Sequence, residues 1–193
     1  MRGDNLKAGE HKHRGKFTEN LLNNDLILKS LGIAPGQTVL DAGCGNGHMA
    51  KLFAKAVAPA GKVYALDTDS HAISILRQAT RDTHIETIVG DITRETVIEA
   101  SSLDLIYIAT VLHSFTRQQL QGFIQEAKRL LRNDGVLAVV EIAKEETPFG
   151  PPLELRYSPE ELVAIVPLIA INTVTVAPYF YMQLFIKKPS KHQ

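Results

Sequence analysis

Val39-Leu40-Asp41-Ala42-Gly43-Cys44-Gly45-Asn46-Gly47 is the stretch whose reading decides the architecture. A hydrophobic run ends in Asp41, glycines follow at three alternate positions, and a helix-forming segment starts at His48. Glycine lets the backbone turn sharply and come close to a ligand. A turn of this kind is expected to expose amide groups at the helix N-terminus. In an open α/β sheet the first strand-to-helix turn lies at the crevice where ligands bind. The dinucleotide fingerprint G-x-G-x-x-G does not fit, because the sixth position counted from Gly43 is His48. The pattern is D-x-G-x-G-x-G.

Outward from that turn, strand and helix patterns alternate. Residues 38–40 read as a strand ending at Asp41, 48–57 as a helix, 62–66 as a second strand and 70–81 as a second helix with Ser70 as its N-cap. A third strand over 84–89, a short helical piece over 93–100 and a fourth strand over 103–109 follow; the apolar run of the fourth strand predicts burial on both faces. A helix over 116–131, a turn at Asn133-Asp134-Gly135 and a fifth strand over 136–142 complete the series. Upstream, leucines at helical spacing predict a helix over 17–31 that Gly32 stops. Such alternation implies right-handed βαβ units and a doubly wound, Rossmann-like, mostly parallel sheet with helices on both faces. The end departs from the rule. Ser158-Pro159-Glu160-Glu161 reads as a helix start. Strands over 172–176 and 179–186 are joined only by Ala177-Pro178, too short for a parallel crossover, so the sheet ends in an antiparallel hairpin.

The bulk composition narrows the function. The 193 residues, 45% hydrophobic and 22% charged, suit one soluble globular domain. Lys plus Arg and Asp plus Glu both count 21, and this balance disfavours a protein whose main task is to grip duplex nucleic acid. Cys44 is the single cysteine, so neither an internal disulfide nor a cysteine zinc cluster can form. No metal site is expected; His11 and His13 have no further ligand cluster beside them. The N-terminus has no apolar signal core, and the stretch 162–171 is too short to span a bilayer, so a cytoplasmic protein is expected.

At the residues quoted, the chain resembles the class I S-adenosylmethionine-dependent methyltransferases, whose first motif has the D-x-G-x-G-x-G form. Val63-Tyr64-Ala65-Leu66-Asp67 is similar to their second-strand motif, in which the acid holds the ribose hydroxyls. Val89-Gly90-Asp91-Ile92 is similar to the segment that contacts adenine. The run from Leu103 through Leu112-His113 resembles their fourth strand and the segment after it, and that from Arg129 to Leu137 their helix–turn–fifth-strand signature. The family's turn before strand five is usually Gly-Gly; here it is Asp134-Gly135, and Asp tolerates turn geometry well. The likeness covers residues 17–188, leaving 1–16 as a flexible N-terminal segment and 189–193 as a tail. It implies a seven-stranded sheet, S-adenosylmethionine as cofactor, S-adenosylhomocysteine as product, and methyl transfer to an unidentified acceptor. The cofactor contacts it implies are Asp41, Gly43, Cys44, Gly45, Gly47, Asp67, Thr68, Gly90, Asp91, Ile92 and Ala109. It is also compatible with a non-catalytic nucleotide-binding or partner subunit that has kept the fold.

The residue types agree with that cofactor. A carboxylate at a strand end can accept both ribose hydroxyls (Asp67) or the adenine amino group (Asp91), and Asp41 can fix the glycine turn or reach an ammonium. The plainer alternatives are solvated loop acids, and Asp69 is left as loop-exposed. Cys44 reads as a small residue in a tight loop rather than a nucleophile. His113, just past the fourth strand, is the leading candidate for a base or orienting group; the alternative is a pocket-lining histidine. Glu141, near the end of the fifth strand, is second. The Pro/Gly loop over 144–157, with Phe149-Gly150-Pro151-Pro152 and Arg156, resembles that of small relatives of the ubiquinone/menaquinone C-methyltransferases. With Lys16 and Phe17 it forms either an acceptor pocket or a rigid connector. A chain this short, with no appended recognition domain, favours a small-molecule acceptor, or a pocket completed by a second subunit, as in a homodimer.

Overall fold

The computed structural model describes residues 21–188. The expectations for residues 1–16, for Phe17 and for the tail 189–193 lie outside the described residues. Strands β1 (Thr38–Ala42), β2 (Lys62–Asp67), β3 (Ile85–Val89), β4 (Leu103–Ala109) and β5 (Leu131–Ile142) are parallel. Strand β7 (Phe180–Ile186) lies antiparallel between β5 and β6 (Ile169–Ala177). The order across the seven-stranded sheet is β3-β2-β1-β4-β5-β7-β6. The expected Rossmann-like sheet with a terminal hairpin is therefore the one formed.

Alternating side chains feed two cores, one on each face. Leu105 and Tyr107 of β4 and Ala138 and Val140 of β5 meet α1 (Asn24–Leu31), α2 (His48–Val57) and α3 (Ser70–Ala79). Leu103, Ile106 and Ile108, with Leu137 and Val139, meet α4 (Arg117–Leu130) and α5 (Pro159–Ile165) on the opposite face. A strand buried on both sides needs this unbroken apolar run, which β4 has. The chain leaves β1 toward β2 and β3, then returns to place β4 on the other side of β1. The topological switch point therefore falls between β1 and β4, and the crevice opens at their C-terminal ends.

Several local expectations are corrected. Helix α1 begins at Asn24, not upstream of it, because the Asn23 side chain accepts the Leu26 N–H and caps it. Asp69, not Ser70, is the N-cap of α3; its carboxylate accepts from His71 N and Ala72 N, and the helix ends at Ala79. The 93–100 segment is turns rather than helix. Glu126 of α4 accepts both the Thr96 N–H and hydroxyl, and Arg129 donates to the carbonyls of Thr96 and Ile98, so the groups a helix would use are already engaged. Asn133-Asp134-Gly135 lies inside β5 as an irregularity, with Leu103 facing Leu131 but Leu105 facing Val136, and Asp134 at φ 61°. In the hairpin Ala177 pairs with Phe180, so the connection is Pro178-Tyr179, and β6 starts earlier than expected, at Ile169. At α5 the helix starts where the sequence placed it, and the Ser158 hydroxyl accepts the Glu161 N–H while the Glu161 side chain takes the Ser158 N–H, closing a capping box.

Candidate active site

The glycine turn is held from within. Gly43 N and Cys44 N both donate to Leu66 O, at 2.8 and 3.0 Å, and Gly47 N donates to Cys44 O at 2.8 Å. Gly45 N donates to Asp67 Oδ2 at 2.8 Å. The sequence suggested amides presented to a ligand; in the fold these four face protein acceptors. Gly43 and Gly47 both adopt φ 74°, and a Cβ on Gly47 would lie 2.4 Å from Leu76. A backbone so placed accepts glycine and strains anything larger.

The turn forms one wall of a cleft of about 460 Å³ at the switch point, within the range of small-molecule sites. Asp41, Gly43, Cys44, Gly45, Asp67, Thr68, Ala109 and His113, all singled out by sequence, line it. Gly47 and Glu141 lie behind its walls. Gly90, Asp91 and Ile92 lie beyond the rim, where Gly90 N donates to Asp67 O at 3.0 Å. Asp91 Oδ1 takes the Thr93 N–H and hydroxyl at 2.9 and 2.7 Å. Sequence reasoning missed Tyr107, Met49, Ala72, Thr110, Val111, Ser114 and the polar trio Asn24, Asn46 and His48, which also face the cleft. His48 carried a usable signal as the first residue after the glycine turn. Asn24 carried none, since only tertiary packing brings α1 there. A second hollow of about 380 Å³ beside Leu21, Leu26 and Pro178 is lined, among the described residues, by no ionisable side chain.

The electrostatics of the cleft are anionic. Asp41 is 3% exposed, and its Oδ2 has no hydrogen-bond partner among the described residues. Burial pushes its carboxyl up to about 7; a bond from the Ala50 amide opposes the rise and the charge of Asp67 adds to it. The hydroxyl of Tyr107 is likewise buried and unpartnered. Burial, with the charges of Asp41 and Asp67, drives the Cys44 thiol well above its ordinary range and disfavours the thiolate. Asp67 uses its other oxygen to accept Asp69 N at 2.9 Å.

On the far wall, Thr110 at φ 56° turns the chain out of β4 into a one-turn 3-10 helix, Leu112–Ser114. Glu141 of β5 is fully buried beneath it. One carboxylate oxygen accepts Leu112 N and the other meets His113 Nδ1, both at 2.8 Å. In the 144–157 loop, Arg156 is 5% exposed and donates to the carbonyls of Pro151, Ala143, Glu145 and Phe149. That guanidinium is a tie for the loop, not a charge offered to the cleft.

These features define a class: an α/β domain with a glycine turn, strand-end acids and an antiparallel final hairpin. The methyltransferase domain family matches residues 39–135, and the chain belongs to that family as a class I S-adenosylmethionine-dependent methyltransferase domain. It is 30% identical over 168 residues to a ubiquinone/menaquinone biosynthesis C-methyltransferase of Laribacter hongkongensis, covering 86% of this chain and 64% of that protein. It is 30% identical over 133 residues to an uncharacterised methyltransferase of Synechocystis, covering 68% and 60%. The chain thus spans less than two thirds of these relatives' length. A crystal structure of a SAM-dependent methyltransferase from Aquifex aeolicus superposes with TM-score 0.79 at 25% identity, covering 91% of this chain and 95% of that one. No helix among the described residues is long and apolar enough to cross a membrane.

Proposed function

We propose that this chain binds S-adenosylmethionine in the cleft between β1 and β4 and transfers its methyl group to a small-molecule acceptor. The observation that carries the reading is the pairing of inward-turned glycine amides with carboxylates that line the cleft. A pyrophosphate needs donors from such a turn, whereas a cationic ligand is favoured by Asp41 and Asp67. Asp41, with its unpartnered oxygen, would hold the ammonium end. Asp67 has lone pairs beyond those given to Gly45 and Asp69 and would accept the ribose hydroxyls. Gly43, Cys44, Gly45 and Ala109 would pack against the ligand, with Gly47 supporting the turn, and Thr68, Gly90, Asp91 and Ile92 would flank its adenine end. When bound, the sulfonium supplies an electrophilic methyl group. Its leaving thioether needs no proton, so alignment and exclusion of water carry much of the rate.

The two curated relatives described above are both named as methyltransferases, one of them a C-methyltransferase of quinone biosynthesis, which supports a small acceptor here. The 144–157 loop, tied by Arg156, would serve as a fixed wall of the acceptor pocket. Calorimetry with S-adenosylmethionine, NAD and the Asp67→Ala variant tests the reading. Saturable binding of S-adenosylmethionine, absent for NAD and weakened about tenfold or more by the variant, is expected. No binding to folded protein would refute the reading and leave a partner subunit that has kept only the fold.

A further inference from the structure

Glu141 is a carboxylate with 0% exposure, and among the described residues its only ion-pair partner is a histidine. A charge buried this deeply is destabilising unless it is paired and fully hydrogen-bonded. The two partners it has are the Leu112 amide on Oε1 and His113 Nδ1 on Oε2. The other groups near it fill no such role. Tyr181, its partner across the β5–β7 ladder, donates its hydroxyl to Tyr157 O. Lys144 pairs with Glu161 on α5, and Arg156 is held by loop carbonyls. On the cleft side His113 shares the space with Asp41, Asp67, Asp69 and His48. The side chain of His113 is 19% exposed and lines the cleft, while Glu141 does not.

We propose that Glu141 is a positioning residue that fixes His113 in the Nδ1–H tautomer and presents Nε2 to the methyl acceptor as a proton acceptor. This rests on the methyl-transfer reading above and narrows it to acceptors whose nucleophilic atom carries a removable proton: a hydroxyl, an N–H or an activated C–H. An ionised carboxylate can only accept, so the proton between the two groups belongs to Nδ1, and the lone pair is left on Nε2. In the transfer, the acceptor's electron pair forms the new bond to the methyl carbon. The carbon–sulfur bond breaks with its pair going to sulfur, and the acceptor's proton goes to Nε2 of His113 and on to water. The buried carboxylate steadies the imidazolium that forms, as an acid beneath a catalytic histidine does elsewhere. Leu112 N, by claiming the other oxygen, stops the carboxylate from rotating away.

The geometry makes one substitution diagnostic. Glu141→Gln keeps shape and volume but has a single carbonyl oxygen. With that oxygen on the Leu112 amide, the side-chain NH2 faces Nδ1, which must then accept, and the ring proton moves to Nε2. A group that merely filled space would leave the tautomer unchanged.

The test is two-bond proton–nitrogen NMR of the His113 ring in the full chain, with and without S-adenosylhomocysteine, on wild type and E141Q. The expected result is Nδ1–H in wild type and a switch to Nε2–H in E141Q. Carbethoxylation of His113 by diethyl pyrocarbonate, read by mass spectrometry, should slow about tenfold or more in E141Q, since the reagent attacks the free Nε2. An Nε2–H ring in wild type overturns the proposal, as does the same tautomer in both proteins. If E141Q does not fold, the wild-type tautomer alone decides. Calorimetry of S-adenosylhomocysteine on the same wild-type sample separates the two claims: absent binding with the Nδ1–H ring intact counts against the methyl-transfer reading alone.

Discussion

Asp41→Asn should make this protein more stable at alkaline pH, by an amount that depends on pH. Burial raises the Asp41 carboxyl from an ordinary 3.8 to about 7 in the folded chain. A carboxyl raised on folding favours the fold while protonated, and that contribution is lost as pH rises from the unfolded value through the folded one. With about 1.4 kcal/mol per unit, the loss is about 2 kcal/mol at pH 5 and about 4 kcal/mol at pH 8. Asparagine carries no charge at either pH. It can keep the Ala50 amide on its oxygen. The stability difference between variant and wild type should therefore grow by about 2 to 3 kcal/mol from pH 5 to pH 8. Urea denaturation of both proteins at the two pH values measures it, and taking the difference between proteins cancels the other titrating groups. A difference that stays constant within about 0.5 kcal/mol would refute the reasoning, and with it the picture of a carboxylate kept in the cleft wall at a cost in stability. The same variant should bind S-adenosylmethionine more weakly, because the destabilised charge is the one that faces the ligand.

Two further substitutions probe the scaffold. Gly47→Ala places a side chain at φ 74° against Leu76 and should cost about 1–2 kcal/mol of stability, read by the same denaturation, and loosen the turn. Arg156→Met strips four carbonyls of their donor and should lower stability by about 2–4 kcal/mol. Its signature is faster proteolytic cutting within residues 144–157; an unchanged cutting rate would remove the tie assigned to the guanidinium.

Much of the site's character depends on where hydrogen bonds end, which no local pattern records. Asp69 and Ser70 are equally good caps by type, and the choice fell to the residue whose carboxylate reached two amides. The 93–100 segment has helix-compatible residues, yet Glu126 and Arg129, some thirty residues on, took its backbone groups. His113 and Glu141 were legible as separate candidates at the ends of neighbouring strands, but not as a pair. Their separation of 28 positions closes only because β4 and β5 lie side by side and the 3-10 turn folds back over β5.

By itself the sequence determined the order of strands and helices, the glycine turn at the first strand's end, the acids at the strand ends and the closing hairpin. These follow from periodicity, from glycine's freedom at positive φ and from loops too short for a crossover, all local properties. The tertiary structure alone decided which amides of the turn faced inward, which carboxylate oxygen of Asp41 was left without a partner among the described residues and which acid lies against the cleft histidine. Each of those depends on atoms far apart in the chain, brought within about 3 Å by packing on both faces of one sheet.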